Sequence, residues 1–201
     1  MALRTRVKVS GVSNLHNGRY CAGMGVEMMG IPVDPVHPQY VNPEDFQEIM
    51  GWLSGIQAVG EISSEETPDL SGFQLDYIEI SQEAQLASVA SSDTPIIYKV
   101  PVEQFDNIQG LRTHLSLYHT QVAFFILDFG AQQNFDQAAI AQLCQQFRIF
   151  LAYRFDLQNL NPILDTVNPE GIVLQSSEEI KVGYNNFDEL ADLLESIELE
   201  D

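Results

Sequence analysis

The sequence predicts an α/β fold, a compact single (β/α)8 TIM barrel with a shortened third crossover. Short apolar runs alternate with segments of helical periodicity along all 201 residues, and eight such runs can be counted. No Gly- or Ser-rich linker separates them, so residues 1–201 read as one domain. The clearest run, residues 122–127, is apolar throughout, as a parallel strand covered on both faces should be.

The first strand covers residues 7–10. Gly11 breaks it, and Ser13 or Asn14 caps a helix that runs through Ala22 and Met24. Ser10 ends that strand and, in a barrel, stands at the C-terminal rim where such folds keep their active sites. A second strand at 26–31 leads into an extended loop held by Pro32, Pro35 and Pro38, with Asp34 and His37 in it. Asn42 caps the second helix, Pro43 takes its first position, and Phe46, Ile49, Met50 and Leu53 form its apolar stripe. The third strand is 56–62. The crossover after it, 65–73, contains Pro68 and Gly72 and is too short for a normal helix.

Strand 77–80 precedes a helix at 82–90. Strand 95–100 precedes a helix from Val102 or Glu103 to Leu117, weakened by Gly110. Strand 122–127 ends at Asp128-Phe129-Gly130, and the next helix starts near Asp136. Strand 149–152 leads to a helix at 157–167 capped by Asp156. Strand 171–174 leads to a last helix from Asn186 or Phe187 to Ile197, and residues 178–181 read as a solvated loop.

Nine Lys and Arg face 29 Asp and Glu, a formal net charge of -20. That field repels phosphate backbones, which excludes nucleic acid as a partner, although a local pocket of amides still accommodates a small phosphate. No apolar run approaches the roughly 18 residues of a membrane span, and no apolar signal core opens the chain, so a cytoplasmic location is expected. Cys21 and Cys144 lie far apart without metal-site spacing and read as small buried hydrophobes. His16, His37, His114 and His119 are scattered and read as surface residues. An open doubly wound sheet would carry a G-x-G-x-x-G after the first strand, which Ser10-Gly11-Val12-Ser13 lacks. No Walker loop, zinc spacing or H-E-x-x-H occurs, so neither a cofactor nor a metal is expected.

Three stretches carry a resemblance: Lys8-Val9-Ser10-Gly11-Val12-Ser13-Asn14, then His37-Pro38-Gln39-Tyr40-Val41-Asn42-Pro43-Glu44, then the strand end Ile126-Leu127-Asp128. In this order, and over nearly the whole chain, the sequence resembles the phosphoribosylanthranilate isomerase family, barrel enzymes of tryptophan biosynthesis. The resemblance implies an Amadori rearrangement of an aldose amine to an amino-ketose, in which an acid opens the furanose ring and a base removes the C2 proton. Carried over, the general acid falls on Asp128. The base falls on Ser10, where the family opening Lys-Ile-Cys-Gly-Ile-Thr-Asn has Cys. A thiol can be tuned into the working range of a base. A hydroxyl needs a neighbouring base to activate it, and no His or Lys in the adjacent sequence supplies one visibly.

The substrate positions implied by the resemblance are Gln39, Glu79, Tyr153, Arg154, Ser176 and Ser177, and each departs from the family pattern. Gln39 replaces an Arg and cannot make the charged bidentate pair. Glu79-Ile80-Ser81-Gln82 replaces Gln-Leu-His-Gly. Tyr153-Arg154-Phe155 replaces Gly-Gly-Leu, and Gln175-Ser176-Ser177 stands where Ser-Ser-Gly is expected. The lost glycines are those that let backbone approach phosphate closely, although Arg154 remains able to meet an anion. The first reading is therefore a divergent barrel that has lost the isomerase reaction and binds a small molecule, a phosphorylated sugar or a partner at its mouth. The alternatives are an active isomerase with an altered base and a barrel enzyme of different specificity. The oligomeric state stays open.

Overall fold

A computed structural model of the chain describes residues 2–90, 92–176, 179–181, 184–185 and 187–199. Eight parallel strands close into a barrel in sequence order: β1 (Arg6–Ser10), β2 (Met28–Pro32), β3 (Gln57–Glu61), β4 (Tyr77–Ile80), β5 (Ile96–Pro101), β6 (Phe124–Asp128), β7 (Ile149–Ala152) and β8 (Gly171–Gln175). Closure is explicit in the register, because β1 pairs with β2 through Lys8 and Met28 and with β8 from Arg6–Gly171 to Ser10–Gln175. The open-sheet alternative is thereby excluded.

Seven α-helices are seen among the described residues: α1 (Leu15–Gly23), α2 (Pro43–Gly51), α3 (Glu83–Val89), α4 (Ile108–Tyr118), α5 (Gln137–Cys144), α6 (Leu160–Val167) and α7 (Asp188–Ser196). The capping residues explain where several start. The Asn14 side chain accepts from Asn17 N, Asn42 from Glu44 N and Asp45 N, and Asp136 from Ala139 N. Residues 62–76, between β3 and β4, contain no helix, as the short crossover with Pro68 and Gly72 requires.

Three expectations need correction. The helix after β5 does not begin at Val102: residues Val102–Gln104 make one 3-10 turn, and α4 starts at Ile108. Asn107 is the better cap, accepting from Gly110 N at 2.9 Å, and Gly110 then falls in the first turn, where its weak helix propensity matters little. The helix after β7 begins at Leu160, not at residue 157. Pro162 is the reason, since a proline is tolerated only in a first turn. Asp156 instead holds a turn, accepting from Gln158 N and Asn159 N at 2.8 Å each. The expected loop near residue 180 is a two-stranded antiparallel hairpin, β9 (Glu179–Lys181) with β10 (Tyr184–Asn185).

The period of two along each strand divides the apolar residues between two cores. Outward-facing residues such as Val7, Val9, Phe125, Leu127 and Leu151 pack under the helices. A separate cluster of Met28, Val59, Ile97, Phe124, Ile126, Phe150 and Val173 fills the barrel axis. On β1 the inward series is Arg6, Lys8 and Ser10, so this strand sends two cations and a hydroxyl where its neighbours send hydrocarbon. Among the described residues no helix is long and apolar enough to cross a membrane.

Candidate functional site

The centre of the site is Lys8. It is fully buried, and its ammonium lies 2.5 Å from Glu61 Oε1, 2.7 Å from Glu79 Oε2 and 2.6 Å from Ser10 Oγ. Burial alone would push the Lys8 pKa down, but the charges of Glu61 and Glu79 outweigh it and raise it, so the ammonium form is the one held. Burial pushes Glu61 in the opposite sense. There too Lys8 wins, helped by hydrogen bonds from Ser10 and from Gly11 N at 3.1 Å, and the carboxyl is held below its ordinary range. The Ser10 hydroxyl thus accepts a hydrogen bond from the Lys8 ammonium.

Gly30 on β2 makes room for this layer. A Cβ there would overlap the Glu61 carboxylate and lie 2.7 Å from Lys8 Nζ. Gly11, at φ +74, turns the chain away from β1 and aims its N–H at Glu61.

At the rim, β6 ends in Asp128. Its Oδ2 lies 3.1 Å from Lys99 Nζ on β5, and its Oδ1 accepts from Gly130 N at 2.9 Å. Burial works against the Lys99 charge, but Glu79 and Asp128 outweigh it and raise the pKa. Glu79 therefore acts on both Lys8 and Lys99, linking the dry layer to the wetter rim.

Beside Asp128 a cavity of about 710 Å³ opens between the ends of β6, β7 and β8 and the first turns of α7. The structure brings Asp128, Tyr153, Arg154 and Ser176 to its wall, together with Lys99 and Glu189. Ser10 is not on that wall. It is 9% exposed and lies beneath Ser176, whose N–H donates to Ser10 O at 2.8 Å and whose hydroxyl donates to Gly11 O at 2.7 Å. Glu79 is also buried below the cavity, on Lys8. Gln39 is exposed, its Oε1 3.8 Å from where a Gly11 side chain would begin. Ser177 lies outside the described residues.

Three backbone amides near the cavity are already engaged. Ser176 N–H donates to Ser10 O, Phe155 N–H to Tyr153 O, and Asp156 N–H to Asn159 Oδ1. The Tyr153 hydroxyl donates to Gln133 O, and its ring packs on Phe129, Phe135 and Phe155. At Tyr153 and Phe155, side chains and internal bonds stand where a phosphate cradle would need open glycine backbone.

These positions can be compared with known proteins. No family model matches the sequence. The N-(5'-phosphoribosyl)anthranilate isomerase of Gloeothece citriformis is 26% identical over 209 residues, covering 96% of this chain and 93% of that protein. The isomerase of Rippkaea orientalis is 24% identical, covering 96% of each. The chain is a divergent relative of phosphoribosylanthranilate isomerase. The isomerase structure from Thermotoga maritima superimposes with a TM-score of 0.78 at 22% identity, covering 96% of this chain and 98% of that one. A second isomerase structure, in complex with reduced 1-(o-carboxyphenylamino)-1-deoxyribulose 5-phosphate, gives a TM-score of 0.75 at 22% identity.

Relative to the isomerase pattern, sequence reasoning missed Lys8, Glu61 and Lys99. Lys8 neighbours Ser10 as a protonated donor, not as the activating base that the sequence did not show. Lys8 is two residues earlier on the same strand, and a period of two puts both side chains on one face. His114 is also not a plain surface residue. It is half-buried among Tyr98, Phe105 and Tyr118, with Nε2 3.2 Å from the Tyr98 hydroxyl, and burial pushes its pKa down. Burial pushes the Cys21 and Cys144 thiols up to about 12, consistent with hydrophobic rather than nucleophilic roles. Among the described residues no group of three or more His, Cys, Asp or Glu is placed to hold a metal ion.

Proposed function

We propose that residues 1–201 act as one barrel domain that has lost the isomerase reaction and binds a small molecule at the cavity beside Asp128. The observation carrying this reading is the hydrogen bond from Lys8 Nζ to Ser10 Oγ at 2.6 Å. The Amadori step needs a base able to take a carbon-bound proton near neutral pH. Ser10 Oγ already accepts from an ammonium. Lys8 holds its proton, because its carboxylate partners raise its pKa. Glu61 is ionised, but its lowered pKa makes it a weak base, and Lys8 and Gly11 occupy its oxygens. Each group that stands near the family's base position is committed to another member of the same layer.

A phosphorylated sugar meets a second obstacle. Arg154 is the cation on the cavity wall with no ion pair among the described residues, and the Phe155 and Asp156 amides beside it already donate to Tyr153 O and Asn159 Oδ1. One observation favours an active isomerase with a different base: Asp128 keeps its rim position and faces the cavity with Lys99.

The assay that decides is direct. Purified protein is mixed with freshly generated phosphoribosylanthranilate, and the loss of its fluorescence is followed. The expected result is decay at the uncatalysed rate. Turnover that disappears in Asp128→Asn would overturn the proposal. Ser10→Cys alone is expected to stay inactive, because it restores a thiol but not the phosphate cradle.

A further inference from the structure

The charges on the cavity wall come in opposite pairs. Lys99 and Asp128 satisfy each other at 3.1 Å. Arg154 and Glu189 are different: both are exposed, both line the cavity, and neither has an ion pair or side-chain hydrogen bond among the described residues. Glu189 sits in the first turn of α7 beside Asp188, so the positive end of that helix already faces carboxylates rather than open space. The same wall includes the apolar Phe155, Val173, Leu190 and Leu193, all buried.

We infer that this cavity takes a zwitterion, a molecule carrying one carboxylate and one ammonium on an apolar body, as a hydrophobic α-amino acid does. Arg154 offers a planar fork to the carboxylate, which a bidentate pair suits. Glu189 offers a carboxylate to the ammonium. Among the described residues the ionic side chains on the wall, Lys99, Asp128, Arg154 and Glu189, sum to zero, and a zwitterion leaves that balance intact. A phosphate dianion would meet one free cation, one free anion and a chain of net charge -20. A volume of about 710 Å³ falls within the range of small-molecule sites. The inference rests on the reading that the mouth binds a ligand without turning over the family substrate.

The test uses four matched probes on the full chain at low ionic strength, read by titration calorimetry. They are L-phenylalanine, L-phenylalaninamide, N-acetyl-L-phenylalanine and phenyl phosphate. L-Phenylalanine should bind saturably and better than the other three. Blocking either charged end should weaken binding roughly tenfold, the scale of one charge-assisted hydrogen bond. Arg154→Gln should abolish the preference over the amide, and Glu189→Gln the preference over the N-acetyl compound. Both side chains are exposed, so these variants should fold normally.

Tighter binding of phenyl phosphate, no saturable binding of L-phenylalanine, or preferences unmoved by the two variants would each overturn the inference. Isomerase turnover in the separate fluorescence assay would overturn the proposed loss of activity alone, so the two failures are distinguishable.

Discussion

Arg6 and Lys8 stand two residues apart on the same face of β1, and each is paired with two carboxylates, yet the two clusters are not equivalent. At the floor of the barrel Arg6 pairs with Glu27 at 2.8 Å and Glu170 at 2.5 Å, and Arg148 joins through Glu170 at 2.5 Å. Its guanidinium also lies 5.2 Å from the Phe150 ring centroid. Those side chains remain in reach of water, with Arg6 26% and Arg148 59% exposed. One layer up, Lys8 is 0%, Glu79 7% and Glu61 17% exposed. Water can replace a lost partner at the floor, but not around Lys8. Charge pairing therefore binds Lys8, Glu61 and Glu79 to one another more strictly than the floor cluster.

The largest expected effect follows from breaking the dry layer on one side. Lys8→Met leaves the buried Glu79 and the half-buried Glu61 without their cation, which should cost about 3–5 kcal/mol of unfolding free energy. Urea denaturation followed by circular dichroism measures it. The triple variant Lys8→Met, Glu61→Gln, Glu79→Gln removes all three charges and should recover most of that loss. A single-variant loss below about 1 kcal/mol would mean that the layer is as wet as the floor. Gly30→Ala tests the same layer sterically. Its methyl group would displace the Glu61 carboxylate from Lys8, at an expected cost of about 1–3 kcal/mol, again read by urea denaturation.

The same layer sets a dependence on pH. The folded-state pKa of Glu61 is lowered, so its contribution is present above the unfolded value of about 4.3 and is lost as pH falls through the folded value. The Lys8 pKa is raised, so its contribution is present below the unfolded value of about 10.4 and is lost as pH rises through the folded value. Thermal melts of the wild type should therefore lose stability at both extremes. The Glu61→Gln variant should lose less of it on acidification from pH 5. An identical acid limb in that variant would show that other carboxylates govern the acid side.

Much of the architecture was legible because it is carried by local rules. The caps at Asn14, Asn42 and Asp136, the apolar run of β6 and the shortened crossover all act within a few residues of where they are read. The helix after β7 could also have been read, since Pro162 forbids an earlier start. The Lys8 layer was half legible. Spacing puts Lys8 beside Ser10, but its partners Glu61 and Glu79 lie 53 and 71 positions away along the chain and meet it only when the barrel closes. Whether a charged residue on a strand faces water or a partner depends on that closure. Glu79 therefore read as a substrate contact when its immediate neighbour is a lysine.

The smallest effect belongs to the floor, and it sharpens the contrast through salt. Arg148 reaches Glu170 with two contacts, at 2.8 Å and 2.5 Å, and Arg6 also holds Glu170. Loss of one exposed partner leaves the carboxylate with a cation and with water. Arg148→Gln should therefore cost no more than about 1 kcal/mol. Raising the salt from 0.1 to 1 M shortens the Debye length from about 10 to about 3 Å and should shrink this loss further. The loss in Lys8→Met should hardly change, since ions do not enter the barrel axis. Urea titrations of both variants at two salt concentrations give four numbers. If the Arg148→Gln loss were as large as that of Lys8→Met, or if both fell equally with salt, the difference between the two clusters would not be one of access to water.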